Sequence, residues 1–194
     1  MIYKVFKRIM DTLLAFLALV ILSPIFLILI MLIKLDSKGP ILFRQKRIGK
    51  NKKHFNILKF RTMRIDTPKD VPTHQLENPD EWITKMGRFL RKTSLDELPQ
   101  LFNVLKGDMS LIGPRPERPE LVDKFIHEIP GYQLRHKVKA GITGWAQVNG
   151  YRGDTSLTGR IQYDLDYIKN WSFLFDIKIF IFTFVKGFIN KNAY

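Results

Sequence analysis

The feature that most constrains this chain is an apolar run near its start, residues 12–33, which reads TLLAFLALVILSPIFLILIMLI. Only Thr12, Ser23 and Pro24 interrupt it. A continuous helix over this run would be roughly 33 Å long, while the hydrocarbon core of a bilayer is about 30 Å thick. A membrane segment is therefore the first interpretation to test.

A proline stands at the midpoint of the run. Pro24 lacks a backbone donor and collides with the carbonyl four residues earlier, and Ser23 can hydrogen-bond the freed backbone, so we predict a sharp bend there. Both flanks are basic, and because positive charge is retained on the cytoplasmic side, this favours a re-entrant hairpin that leaves where it entered. A kinked spanning helix remains the alternative. A cleaved signal peptide is disfavoured, since no small-residue cleavage site follows.

Positive charge is concentrated in the first third of the chain. The formal net charge is +14, and residues 1–64 hold 14 Lys or Arg against two acidic residues, which is +12 of that total. Such a balance indicates nucleic acid, anionic lipid or phosphorylated substrates as partners. Because the basic third surrounds the apolar run, we expect anionic membrane lipids and no nucleic acid. There is no Cys and the four His are scattered, so neither residue type indicates a metal site.

The remaining sequence predicts one small α+β domain. Apolar and basic residues alternate around a turn at residues 49–52 and predict a short hairpin. Residues 66–80 predict a solvated loop, residues 82–90 show helical spacing, and residues 121–127 predict a helix. The Gly-rich residues 141–154, with their Asn-Gly pair, predict turns and short strands. The aromatic tail, residues 171–194, predicts a helix that lies in the membrane interface or caps the core.

Two adjacent carboxylates, Asp96 and Glu97, lie in the central stretch TSLDELPQLFNVLKGDMSLIGPRPE, residues 93–117. The apolar stripe of residues 98–105 predicts a short helix that ends at Gly107. At its start, either Ser94 and Glu97 form a capping box or Asp96 is the N-cap, so both carboxylates lie at the positive end of the helix. Capping alone would explain such a pair.

The neighbours of the pair favour chemistry beyond capping. Arg115 is fixed between two prolines, Pro114 and Pro116, so that its guanidinium can be held ready for a phosphate. Paired carboxylates among phosphate-binding cations are suited to hold Mg²⁺ together with a diphosphate, and an ionised carboxylate can attack phosphorus. Further cations suited to phosphate are Lys59, Arg61 and Arg91.

Several motifs together resemble a known family. They are KRIMD at residues 7–11, the Ser-Pro pair, KFRTM at 59–63, the central stretch, GITGWAQVNG at 141–150 and KGFINKNAY at 186–194. They are similar to those of the monotopic phosphoglycosyl transferases of the bacterial sugar transferase family. The resemblance implies transfer of a sugar 1-phosphate from a UDP-sugar to undecaprenyl phosphate, giving undecaprenyl diphosphate-sugar and UMP. This would be the first membrane step of bacterial exopolysaccharide or glycoconjugate synthesis.

The resemblance also implies roles for residues. Asp96 would be the nucleophile that forms a covalent phosphosugar intermediate, and Glu97, with Asp96 beside it, would hold Mg²⁺. The nucleotide site would include Pro114, Arg115 and Pro116. The phosphates or lipid head groups would be served by Lys59, Arg61 and Arg91.

The implied architecture has two parts. Residues 1–38 would form the re-entrant membrane helix, bent at Ser23 and Pro24, with its basic flanks. Residues 39–194 would form a mostly helical catalytic domain, with short strands and interfacial amphipathic helices, on the cytoplasmic face of the bacterial inner membrane. The resemblance allows a homo-oligomer.

The part after Arg118 resembles the long members of the family, which handle glucose or galactose. UDP-glucose or UDP-galactose is therefore the expected donor. Those members carry spanning helices and an extra domain upstream, so we expect either a compact form or a trimmed one. Two rival hypotheses remain: direct transfer with Asp96 as metal ligand or base, and a non-enzymatic basic adaptor that binds anionic lipid or nucleic acid. The adaptor leaves the carboxylate pair and GPRP without a purpose.

Overall fold

The computed structural model describes residues 2–68, 76, 78–153 and 155–187. Two helices open the chain, α1 (Ile2–Ile21) and α2 (Ser23–Asp36), and they are bent by 62° at Leu22. The hydroxyl of Ser23 donates to Val20 O at 2.8 Å, which is the carbonyl that Pro24 cannot serve. The predicted bend is therefore confirmed. Within the described ranges no single helix is long and apolar enough to cross a membrane, whereas the bent pair passes that test of length and composition together.

An antiparallel hairpin follows the helix pair. Strands β1 (Leu42–Ile48) and β2 (His54–Phe60) pair in register from Leu42 opposite Phe60 to Ile48 opposite His54. In the turn, Asn51 and Lys52 adopt left-handed conformations with φ of 55° and 59°. The hairpin predicted from alternation is confirmed.

The helical spacing of residues 82–90 does not give one helix. A short helix α3 (Pro79–Trp82) ends before Ile83, which forms an isolated bridge with Met63, and α4 (Lys85–Thr93) begins afresh. The hydroxyl of Thr84 caps α4 by accepting from Gly87 N at 2.9 Å. The tertiary bridge thus interrupts the periodicity. Of the predicted loop at 66–80, residues 69–75 and 77 lie outside the described residues.

The predicted cap of the central helix is wrong. Helix α5 (Gln100–Lys106) starts after Pro99, and the carboxylate pair lies earlier, in a 3₁₀ turn (Leu95–Glu97). Neither Ser94 nor Asp96 caps α5. Ser94 adopts a left-handed conformation, φ 57°, which ends α4, and Asp96 lies within the 3₁₀ turn. The predicted end is confirmed, since Gly107 has φ 96°.

A second pair of strands begins after α5 in the sequence, and these two strands are parallel to each other. Strand β3 (Met109–Ile112) pairs with β4 (Ala140–Thr143), and α6 (Pro119–Glu128) and a 3₁₀ segment (Tyr132–Lys137) lie between them in sequence. After β4 the Asn-Gly pair closes a short helix, α7 (Trp145–Val148), rather than a strand turn. Helices α8 (Leu157–Lys169) and α9 (Phe173–Gly187) complete the described fold. This mixture of helices with two small sheets confirms the α+β class.

The helix pair shares the core of the domain. Ala15 packs in a cluster with residues of β2, α5 and β3, and Phe26, Leu29 and Ile33 of α2 pack with Phe60 and Leu90. The border between residues 1–38 and 39–194 remains a prediction.

Buried charges also bind α1 to the domain. Asp176 of α9 lies 2.7 Å from Lys7 Nζ, and it accepts hydrogen bonds of 2.7 Å from both Tyr3 Oη and Tyr167 Oη. These contacts join the beginning of α1 to α8 and α9, so the helix pair is held in a defined orientation to the domain.

A second set of contacts holds α1 against α5 and β3. Arg8 donates to Val104 O at 2.6 Å and to Leu105 O at 2.8 Å, which satisfies carbonyls at the end of α5. Asp11 accepts from Ser110 Oγ at 2.7 Å. The motif KRIMD therefore docks the helix pair onto α5 and β3, the two elements that follow the carboxylate pair in sequence.

Candidate active site

The two central carboxylates are buried between α4 and α5. Asp96 is 4% exposed and Glu97 9%. The turn that carries them is anchored by Leu95 and Leu98, which pack against the cluster around Phe60 and Leu90. The apolar neighbours of the two acids thus hold them in a buried position.

Glu97 is held by cations from two other segments. Lys59 of β2 places Nζ 2.8 Å from Oε1. Arg115, in the loop after β3, contacts both oxygens, with Nη2 2.5 Å from Oε1 and Nη1 3.2 Å from Oε2. Burial by itself would raise the pKa of Glu97, but the charges and hydrogen bonds of Arg115 and Lys59 outweigh it and hold the pKa well below its ordinary range. Glu97 is therefore a stable anion.

Asp96 is left with much weaker support. Its Oδ2 lies 3.8 Å from Lys59 Nζ, and its buried Oδ1 has no hydrogen-bond partner in the described part of the chain. Burial raises the pKa of Asp96, the attraction of Lys59 opposes that rise, and the charge of Glu97 adds to it. A carboxylate that is poorly stabilised as an anion is more basic and more reactive toward an electrophile.

The predicted phosphate residues are only partly brought together. Lys59 and Arg115 converge on the carboxylates, with Pro114 and Pro116 beside Arg115. Arg91 donates from Nε to Thr62 Oγ1 at 3.0 Å, and its charge acts on Asp96.

Arg61 takes a different direction. Its guanidinium donates to Ser37 O at 2.7 Å and to Lys38 O, and the side chain is buried beneath the end of α2. These bonds connect the end of β2 to the segment after α2, which is a structural role for Arg61. The predicted contact of Arg61 with phosphate remains a prediction.

Sequence reasoning missed two buried polar residues. Gln100 is 0% exposed, and neither end of its amide has a partner among the described residues. Gln100 follows Asp96 by four positions, and in the predicted central helix this spacing would place both side chains on one helix face. That spacing is the sequence signal that could have indicated Gln100. Arg135, buried behind the Arg115 loop, gave no local signal.

The donor set can accommodate a divalent cation. Asp96 Oδ1 has no partner, and Glu97 Oε2 carries one hydrogen bond of 3.2 Å, so one oxygen of each carboxylate has unused capacity in the described structure. Mg²⁺ prefers such carboxylates together with substrate oxygens. The described residues contain no group of three or more His, Cys, Asp or Glu that could hold a metal ion, so a metal here would depend on substrate for further ligands.

The sign of the local charge favours anionic ligands. Two carboxylates face Lys59, Arg115 and Arg91, which leaves one positive charge in excess among these five groups. A phosphate or diphosphate would be attracted to this site, and the same cations would stabilise charge that develops on its oxygens.

The chain belongs to the bacterial sugar transferase family. The model of the family described as "Bacterial sugar transferase" matches residues 2–190 of the chain. The family membership predicted from the motifs is thereby confirmed.

Three relatives show what the chain is similar to. It is 48% identical over 195 residues to an Escherichia coli protein named UDP-glucose:undecaprenyl-phosphate glucose-1-phosphate transferase, covering 98% of the chain and 42% of that protein. A Klebsiella pneumoniae protein of the same name is 49% identical over 197 residues, covering 100% and 42%. A UDP-N-acetylgalactosamine-undecaprenyl-phosphate N-acetylgalactosaminephosphotransferase of Aeromonas hydrophila is 47% identical over 192 residues, covering 96% and 45%. The chain spans less than half the length of these relatives.

Replacing Arg115 by Met should lower the free energy of unfolding by about 2 kcal/mol near pH 7, because a buried carboxylate loses charge-assisted hydrogen bonds. The pKa of Glu97 is lower in the folded than in the unfolded chain, so its stabilisation is complete above the unfolded pKa and is lost as the pH falls through the folded pKa. The deficit of Arg115→Met should therefore be constant above about pH 5 and shrink in more acidic solution. Chemical denaturation in detergent micelles at a series of pH values measures it.

Arg64→Met is the matched control. Arg64 also pairs with a carboxylate, 2.5 Å from Asp66, but both side chains are more than half exposed, so the change should leave the free energy of unfolding nearly unaltered. Equal losses in both variants, or a deficit of Arg115→Met that persists at all pH values, would contradict the assignment.

Proposed function

We propose that the chain transfers a sugar 1-phosphate from a UDP-sugar to undecaprenyl phosphate through a covalent intermediate on Asp96. The observation that carries the proposal is the buried Asp96 Oδ1, which has no partner in the described structure and lies in a cationic site. Membership of the sugar transferase family and the names of the relatives support the substrate classes.

In the first step, an oxygen of Asp96 attacks the phosphorus that bears the sugar. A bond forms between this oxygen and phosphorus, the bond from phosphorus to the bridging oxygen breaks, and UMP leaves with the electron pair. Arg115 and Lys59 are placed to stabilise negative charge on the phosphoryl oxygens. The product of this step is an acyl phosphate.

In the second step, a phosphate oxygen of undecaprenyl phosphate attacks the same phosphorus. The acyl phosphate bond breaks, the carboxylate of Asp96 is regenerated, and undecaprenyl diphosphate-sugar is released. Two bulky anions thus use one small site in turn, which predicts ping-pong kinetics.

Glu97 serves this chemistry as a fixed negative charge. It orients Lys59 and Arg115, and repulsion between the adjacent carboxylates makes the anion of Asp96 more basic and therefore a stronger nucleophile. We propose that Glu97 and Asp96 hold Mg²⁺, which when bound would neutralise charge on the donor diphosphate.

The proposal places the site at the cytoplasmic face of the bacterial inner membrane. The bend at Ser23 and Pro24 and the basic N-terminal third support a re-entrant hairpin on anionic lipid. Apolar side chains on three helices support contact with the bilayer, and for α9 they favour an interfacial position. At least half exposed are Val5, Ile9, Phe16, Val20 and Ile21 of α1, Leu27, Ile28, Met31 and Leu35 of α2, and Leu174, Ile181, Phe184 and Val185 of α9.

Incubation with the UDP-sugar and Mg²⁺, without undecaprenyl phosphate, should add the mass of a sugar phosphate to Asp96, because the first step needs no acceptor. Intact-protein and peptide mass spectrometry after acid quenching measure the adduct. Asp96→Asn should abolish it and should lower UMP release by more than about 1,000-fold, since an amide is a poor nucleophile. Asp123→Asn, a matched change at an exposed site on α6, should retain both. Recovery of UMP release by Asp96→Asn when Mg²⁺ is exchanged for another divalent ion, without labelled protein, would favour direct transfer with Asp96 as a metal ligand.

The donor sugar should be revealed by UMP release from a panel of UDP-sugars with Mg²⁺ and undecaprenyl phosphate. We expect UDP-glucose or UDP-galactose to react fastest, although the Aeromonas relative keeps N-acetylgalactosamine in the panel. Removing Mg²⁺ with a chelator should stop the reaction, and restoring it should recover the rate. If no UDP-sugar releases UMP while the protein binds anionic vesicles, the adaptor hypothesis gains support.

Both ends of the helix pair should face the cytoplasm. Because the chain has no Cys, single-cysteine variants at Lys4 and Lys38 can be labelled with an impermeant maleimide in inverted and right-side-out vesicles. The hairpin predicts that both positions react only in inverted vesicles. Reaction of the two positions on opposite sides would establish a kinked span instead.

A further inference from the structure

The segment that carries Arg115, residues 114–117 (the Arg115 loop), is held by contacts from other segments. Its two prolines have no N–H and cannot donate backbone hydrogen bonds within it. Each of its four carbonyls accepts from another segment: Pro114 O from Gly141 N at 2.9 Å, Arg115 O from Arg135 Nη2 at 2.8 Å, Pro116 O from Arg47 Nη1 at 3.2 Å and Glu117 O from Ile48 N at 3.0 Å.

The bond to the carbonyl of Arg115 comes from a buried arginine. Arg135 is 4% exposed, and it uses three nitrogens on three partners. Nε donates to Asp164 Oδ2 at 2.8 Å, Nη1 to Tyr132 Oη at 2.9 Å, and Nη2 to Arg115 O. This guanidinium therefore has one fixed position, from which it fixes the backbone of Arg115.

Stability alone does not account for this pair. The side chains of Arg135 and Asp164 are 3% and 2% exposed, and the desolvation of two buried charges offsets most of their attraction. What an arginine does provide is a rigid fork of donors with a defined direction. The pair is therefore better explained by the geometry it imposes than by the free energy it contributes.

Helix α8 forms the support for this geometry. Asp164 holds Arg135, and one turn earlier Arg160 Nη1 lies 3.0 Å from Glu117 Oε1 at the end of the same loop. Both charged contacts come from one face of α8. The Arg115 loop is thus connected to a helix that contributes no residue to the carboxylate site described above.

We propose that Arg135 and Asp164 are a positioning pair for the reaction: they set the backbone of Arg115, so that its guanidinium reaches both Glu97 and the diphosphate of the donor. The inference rests on the proposed function, because Arg115 would bind the donor phosphates there. Neither residue of the pair touches substrate.

The decisive variant replaces both members of the pair, Arg135→Met with Asp164→Leu. Apolar residues in place of a buried ion pair commonly leave stability unchanged, so the protein should fold. Its kcat/KM for the UDP-sugar should fall about 100-fold, since a misplacement of about 1 Å at a reacting group has effects of that size. The acceptor half-reaction with preformed intermediate should change less. An undiminished kcat/KM in the folded variant would overturn the proposal.

Two further measurements separate positioning from a general structural role. In an Arg115→Met background the double change should cause no further loss, because the pair acts only through Arg115; independent losses that multiply would contradict this. Tyr132→Phe is the matched control, since it removes a bond to the same guanidinium but leaves the contact with Arg115 O, and it should retain activity.

A direct readout does not depend on catalysis. In nitrogen-15 NMR of arginine side chains in detergent micelles, the Arg115 signal, assigned by its loss in Arg115→Met, should be displaced by its contact with Glu97. It should move toward the value of a solvated arginine in the Arg135→Met/Asp164→Leu variant. If the Arg115 signal has the same position in the wild type and in the double variant, the inference is wrong, whether or not the chain transfers a sugar phosphate. Absence of UMP release by the wild type, with a signal that moves, would instead refute the proposed function alone.

Discussion

The site depends on the carboxylate of Glu97, which is bound by Lys59 and by Arg115 at the same time. One cation comes from the hairpin and the other from the loop after β3, so this single anion brings three separate segments together. It also takes up the positive charge that would otherwise pair with Asp96. The adjacent acid is therefore left buried and weakly supported. Two neighbouring carboxylates thus have pKa values shifted in opposite directions, because Glu97 binds the cations at short distance and Asp96 does not.

Local chemistry was sufficient to predict several elements. The missing donor of Pro24 fixed the position of the bend, and Gly107 fixed the end of α5. The start of α5 could not be predicted in the same way, because the left-handed conformation of Ser94 ends one helix and directs the next residues into a tight turn. Likewise, the periodicity around Ile83 is broken by a bridge to a distant segment.

For the candidate site residues too, local sequence predicts some features and tertiary contacts determine the others. Lys59 and Arg61 are two apart and would share a face in a longer strand, but β2 ends at Phe60 and Arg61 turns to the carbonyls after α2. Arg135 meets Asp164 across 29 positions in sequence, a contact that no local pattern reveals. Residue type thus indicated which side chains suit phosphate, whereas only tertiary structure determines which of them meet.

The contact between α1 and Asp176 has a consequence for the order of events during synthesis. Tyr3 and Asp176 are 173 positions apart, so the helix pair leaves the ribosome long before the acid that fixes its orientation exists. Closure of such a distant contact is entropically demanding and comes late in folding. The apolar side chains with which α1 and α2 pack against the domain are therefore made well before the later elements that cover them.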